Sequence, residues 1–246
     1  EYSGEMTVNF ENCTIGEVII WNSNTNFTNC DIAKMVPHIT TAVITVDGAK
    51  TVAYDTTTTL QSALDNLNAG DTLILPAVTI ETTGTHSVPH GVTIIGDENG
   101  GTVIRQNSAG QDNIFNCKGD ATIMNVSFET NRKGYAIADN TKNHDTNGNI
   151  TVINCSFKGI AAEKNYGIYK NLNGNLTVQN CTFENYNNAI CGVSNGNGSV
   201  TTIEGCTFTN INGEAIGYVA STTPADFEAD VIANNTGLTE ENVIGY

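Results

Sequence analysis

The sequence predicts an all-β protein, a right-handed single-stranded parallel β-helix with an N-terminal capping α-helix, and three observations predict it. A phrase of the form apolar-x-apolar-x-Asn-Cys-x-Phe recurs at 150–157 and 176–183 and, with Gly205 in place of Asn, at 201–208, its cysteines 26 and 25 residues apart. No crossover helix and no returning hairpin fits between the copies, so each is expected to stack on the one before. The composition, 34 Asn, 34 Thr and 24 Gly in 246 residues with only two Arg, favours turns and strands over long helices.

In chain order, residues 1–42 come first. They carry two shorter phrases around Asn12-Cys13 and Asn29-Cys30, 17 residues apart, which is short for a full coil. They are expected to be the last rungs of a preceding β-helix, with pairing elsewhere on this domain as the alternative. Residues 43–70 read as a hairpin turning at Asp47-Gly48, then an amphipathic helix over 58–69 with Leu60, Ala63, Leu64 and Leu67 on one stripe and Gly70 as its stop. This helix is expected to cover the open end of the coil.

The β-helix proper is expected over 71–223. Each repeat alternates inward and outward, bends at Asn, and alternates again, so it holds two short strands about a sharp corner. Asn tolerates the left-handed conformation of such a corner. Asn125, Asn154 and Asn180 are therefore expected to form a structural ladder of stacked amides. Cys155, Cys181 and Cys206 are expected to stack inside, because the earlier copy has Val126 at that position. Phe128, Phe157, Phe183 and Phe208 would stack beside them. Third strands are expected at Tyr135-Ala-Ile137, Tyr166-Gly-Ile168, Asn188-Ala-Ile190 and Glu214-Ala-Ile216. Residues 224–246 lose the phrase and read as a C-terminal tail or linker.

Ten Lys and Arg against 26 Asp and Glu leave a net charge of −16, which repels nucleic acid and anionic membranes. No apolar run approaches the ~20 residues of a membrane span. No basic-then-apolar leader precedes Glu1, so a trimmed extracellular chain, secreted or attached to a cell surface, is expected. Seven cysteines without a CxxC pair and four histidines without ligand spacing point neither to a disulfide framework nor to zinc.

The runs LQSALDNLNAGDTLILP, GVTIIGDENGGTVI and ATIMNVSF resemble the opening coils of the pectin lyase-like superfamily of right-handed β-helices, over about 160 residues. The hairpin and helix ahead of GDT, followed by NCSF and NCTF rungs, are most similar to repeat modules of bacterial cell-surface proteins of the adhesin type. The superfamily's enzymes would imply catalytic signatures. The polygalacturonase NTD, GHG and RIK segments, the pectate lyase WiDH and RxPxxR segments and the pectin methylesterase QDTL and GRPW segments are all missing. No catalytic residue is carried over.

Two groups of residues remain as candidates for binding. The polar insertion 130–149 gathers Arg132, Asp139 and His144, and its Asp145-Thr-Asn147 start is that of a calcium loop. Gly is absent at the sixth position and Ser156 stands at the closing one, so no cofactor is expected and calcium is the one ion left to consider. Tyr135, Tyr166, Tyr169, Tyr186 and Tyr218, near the third strands, could line a sugar-binding face. The leading function is a non-catalytic surface module for adhesion or recognition of carbohydrate or a host surface, in tandem with further modules of the same chain. The alternatives are an extracellular lyase or hydrolase of acidic polysaccharide and a structural spacer or phage-fibre-like element.

Overall fold

The computed structural model describes residues 7–20, 24–33, 35–37, 43–108, 110, 112–130, 134–139, 148–159, 165–170, 173–194 and 198–246. The first three strands are β1 (Thr7–Glu11), β2 (Thr14–Ile15) and β3 (Val18–Ile20), followed by β4 (Asn24–Thr28), β5 (Asp31–Ile32) and β6 (Met35–Pro37). A hairpin of β7 (Val43–Val46) and β8 (Ala49–Ala53) leads to the helix α1 (Leu60–Asp65). Coils of three strands each come next. They begin with β9 (Thr72–Ile74), β10 (Thr79–Thr82) and β11 (His86–Val88), then β12 (Val92–Ile95), β13 (Val103–Gln106) and β14 (Phe115–Cys117). The third coil is β15 (Ala121–Met124), β16 (Ser127–Thr130) and β17 (Tyr135–Asp139); the fourth is β18 (Ile150–Ile153), β19 (Ser156–Gly159) and β20 (Tyr166–Tyr169). The last two are β21 (Leu176–Gln179), β22 (Thr182–Glu184) and β23 (Asn188–Val193), and β24 (Thr201–Glu204), β25 (Thr207–Thr209) and β26 (Ile216–Tyr218). The helix α2 (Phe227–Ala233) and β27 (Val243–Gly245) close the order.

Each strand pairs in parallel with its equivalent in the next coil, which makes three sheets and a β-solenoid. Alternation decides what faces in. Leu73, Ile94, Ile123, Val152, Val178 and Ile203 lie in register on the first sheet and are buried, while Thr72, Thr93, Thr122, Thr151, Thr177 and Thr202 beside them face out. The corner from first to second sheet takes two residues in the later coils. Asn125, Asn154 and Asn180 adopt φ of 57°, 54° and 53° there, and Asn154 Nδ2 donates to Asn125 Oδ1 at 3.4 Å. Gly205 continues the column at φ 65°, where a Cβ would stand 2.5 Å from Asn180 Oδ1. Val126, Cys155, Cys181 and Cys206 are buried behind the corner with their thiols free. The phenylalanine column stacks as the register requires, Phe128 to Phe157 at 5.1 Å, Phe157 to Phe183 at 4.6 Å and Phe183 to Phe208 at 5.0 Å.

The helix α1 is shorter than the expected 58–69. Asp71 ends it early by accepting the N–H groups of Asn68 and Lys50, which pulls the chain out of helical geometry. Thr59 caps its start by accepting Ser62 N–H at 3.1 Å. The helix lies along β11, at the edge of the third sheet alone, and the first sheet runs on past it through β8, β7, β4 and β1.

The segment before the hairpin forms two narrow coils of its own. β1, β2 and β3 pair in parallel with β4, β5 and β6, so 17 residues do suffice, because one of the three strands is only two residues long. β4 then pairs with β7, so these coils join this domain's own sheet. Val43, Val52 and Leu73 share one face of that sheet, and Val52 packs on the main core. Ile44 points the other way and is buried with Phe27 in a separate core. The two sets of coils therefore share one sheet and bury opposite faces of it.

The C-terminal segment is folded onto the coil as a closing tail. Phe227, Val231, Leu238 and Val243 are buried in the main core. Asn234 carbonyl accepts Gly205 N–H beyond the first sheet, Thr236 bridges to Thr207 beyond the second, and β27 pairs with β26 in the third.

Candidate functional site: the tyrosine face of the third sheet

Loop length differs sharply from corner to corner. Asn125-Val126, Asn154-Cys155, Asn180-Cys181 and Gly205-Cys206 suffice between first and second strands, whereas 131–134, 160–165, 185–187 and 210–215 precede the third strands and 140–149, 170–175 and 194–200 follow them. In these later coils the variable segments thus border the third sheet, whereas in the first two coils the corner between first and second strands is itself longer, at 75–78 and 96–102. A rigid sheet flanked by unequal loops is where recognition is usually carried.

On that sheet Tyr135 is in register with Tyr166, and Ala138 with Tyr169 and Cys191. The Tyr135 ring lies 4.9 Å from Tyr166 and 5.0 Å from Tyr169, tilted by 33° and 37°. All three are half-buried. Tyr246, an exposed ring, reaches the same place from the chain's end, its hydroxyl accepting Gly192 N–H at 3.3 Å. Gly192 is needed at this point: at φ 74° a Cβ would stand 2.2 Å from the Lys170 carbonyl oxygen and 3.1 Å from the Tyr169 ring. Beside the rings, Asn188 Nδ2 donates to Glu214 Oε2 at 3.2 Å.

Of the described residues placed at this face, Glu214 carries the charge. Burial, then the neighbouring Cys191, Tyr166, Tyr169 and Tyr246, hold the Tyr135 phenol well above its ordinary range. Burial, then Glu214, push the Cys191 thiol up to about 12, partly offset by a hydrogen bond with Tyr135. Neither supplies a nucleophile near neutral pH. Flat rings with polar tips beside an amide and a carboxylate suit the apolar face and the hydroxyl groups of a sugar.

The other candidates fall elsewhere. Tyr186 is fully buried, with its hydroxyl accepting from Thr130 at 2.9 Å, so it belongs to the core and not to the face. Tyr218 turns toward α2, donating to Glu228 at 3.0 Å and packing edge-on against Phe227. Asp139 is not a loop ligand. β17 carries it into the column of Cys117, where it is buried against Lys170 Nζ at 2.6 Å. Lys170 Nζ also donates to the Asn173 carbonyl. Arg132, His144, Asp145 and Asn147 lie outside the described residues. Of the calcium-like loop, Asn149 donates to Asp120 and Ser156 to Ser127, each a neighbouring rung. Among the described residues no three His, Cys, Asp or Glu side chains gather as a metal site.

Tyr246 and Glu214 were not singled out in the sequence, because neither the chain's last residue nor one acid in a corner carries a motif. No family model matches the chain, and no curated protein or solved structure does either.

Proposed function

We propose that the chain is an extracellular β-helix module, of the pectin lyase-like and adhesin type it resembles, that holds a neutral carbohydrate on the tyrosine face of its third sheet without turning it over. The observation that carries this reading is the grouping of Tyr135, Tyr166, Tyr169 and Tyr246 on one sheet, which the unequal loops of the later coils border. A neutral ligand suits a chain of net charge −16, which repels acidic glycans at range. Affinity is weak, since each stacking contact contributes about 0.5–1.5 kcal/mol beyond area burial.

A glycan array followed by calorimetric titration of the best neutral oligosaccharide tests the proposal. Tyr166→Ala is expected to weaken binding about tenfold, which is about 1.4 kcal/mol. Tyr218→Phe, away from the face, is expected to leave it unchanged. Binding that ignores Tyr166 and Tyr169, or product release from the bound glycan, would overturn the reading.

A further inference from the structure

The two ends of the molecule are built differently. At the C-terminal end all three sheets are closed, by α2 with Asn234, by Thr236 and by β27. At the other end β1, β2 and β3 each have a strand on one side only, β4, β5 and β6 respectively. Among the described residues nothing pairs with their outer edges. A strand edge of this kind is a template for another strand.

The side chains on this edge are also in mid-pattern. Asn26 Nδ2 donates to Asn9 Oδ1 at 2.7 Å, and Asn29 Nδ2 donates to Asn12 Oδ1 at 2.6 Å. The same polarity holds elsewhere, where Asn154 donates to Asn125 and Asn210 to Asn185. In every case the later rung donates to the earlier one. Asn9 and Asn12 have given their oxygens to the rung after them, and their Nδ2 groups point outward with no acceptor among the described residues. Phe10 stacks on Phe27 at 5.0 Å and 9°, and among the described residues no second ring stacks on Phe10. Backbone, amide donors and ring thus all present an unfinished column at one edge.

We propose that this edge binds one further β-rung of another polypeptide segment, laid parallel on β1 and β2, with Asn at the two ladder positions and an aromatic residue between them. The incoming Asn oxygens accept from Asn9 and Asn12 Nδ2, the incoming ring covers Phe10, and the backbone completes the β1 ladder. Asn is required there because only an acceptor at the ladder position matches the outward donors, and because the corner at Asn12 and Asn29, with φ of 53° and 51°, excludes most other side chains.

The probe is a fluorescent peptide copying residues 24–37, with Cys30 replaced by Val, titrated against the full chain by anisotropy. Saturable binding is expected. In the double variant Asn9→Asp/Asn12→Asp the carboxylates still accept from Asn26 and Asn29, so the fold is kept, but the outward donors are gone. Binding is expected to fall about tenfold or more. A peptide with Asn26→Leu and Asn29→Leu leaves the protein untouched and is expected to lose binding equally. No saturable binding, or equal binding by both altered partners, would overturn the proposal. Concentration-dependent self-association of the chain, abolished by the double variant, would give the edge to a second copy and overturn it too.

Discussion

Gln61 stands in for a missing strand at Ser87. Its side-chain Oε1 accepts Ser87 N–H at 2.7 Å and its Nε2 donates toward Ser87 carbonyl at 3.3 Å, so one amide from α1 satisfies both backbone groups at the edge of β11. Gln61→Leu removes both partners at once. An unsatisfied backbone group costs about 1–3 kcal/mol, so the urea midpoint is expected to drop by that equivalent. Gln61→Glu keeps the acceptor and loses the donor, and is expected to fall between. A midpoint unchanged in Gln61→Leu would show that the edge does not depend on this contact.

Leu64 sits on the same helix, fully buried against the core. Leu64→Asp places a charge in that contact. The variant is expected to aggregate on size-exclusion chromatography under conditions where the wild type elutes as one species. An unchanged elution profile would count against any covering role for α1.

Asp139 and Lys170 form an ion pair inside the coil, with side chains 0% and 2% exposed. Lys170→Met takes the lysine away from a buried carboxylate, at a cost of about 3–5 kcal/mol. Adding Asp139→Leu removes the buried carboxylate as well and is expected to recover most of that loss in chemical denaturation. The same burial bears on catalysis. Asp139 is not placed to act on a polysaccharide at the surface, so Asp139→Ala is expected to lower stability without removing any turnover of polygalacturonate. Turnover that disappears in Asp139→Ala would reverse that expectation.

The thiols give a pH dependence with a definite sign. Cys117 is pushed up to about 12 from 9.0 by burial and then by Asp139, with Lys170 offsetting part, and Cys181 to about 12 chiefly by its hydrogen bond with Cys155. Unfolded thiols ionise as the pH passes 9 while these stay protonated, so the unfolded state binds fewer protons there. Their stabilisation is complete below pH 9 and is lost as the pH rises toward 12. Cys181→Val, which copies Val126, is expected to flatten the decline in thermal midpoint over that window. In native labelling at pH 8, Cys13 and Cys30, half-buried, are expected to react first. Rapid labelling of Cys155, Cys181 and Cys206 would contradict the inward register.

Much of the architecture is legible in local pattern. The period-2 alternation, the Asn corners and the 25- and 26-residue spacing are properties of neighbouring residues, and they specify a stacked coil before any contact is known. Tyr135, Tyr166 and Tyr169 were legible as a face for a related reason: they stand at equivalent or nearby points of successive repeats, and stacking brings such points together. Tyr186 carries the same residue type but sits three positions before its strand's Ala189, in a short corner, where the ring turns inward onto Thr130.

What lay beyond the sequence depends on contacts between distant residues. The sequence by itself determined the repeat, the all-β class and the inward columns, because each is set within one rung by steric and hydrophobic alternation. Only the tertiary structure decided that the N-terminal coils share a sheet with the main coil and bury its other face, since parity across the Asp47-Gly48 hairpin separates Ile44 from Val52. It also decided that Lys170 neutralises Asp139, 31 residues away, and that Gln61 completes Ser87, 26 residues away. A charge or an amide in a sequence shows a demand for a partner; the stacking of coils settles which partner meets it.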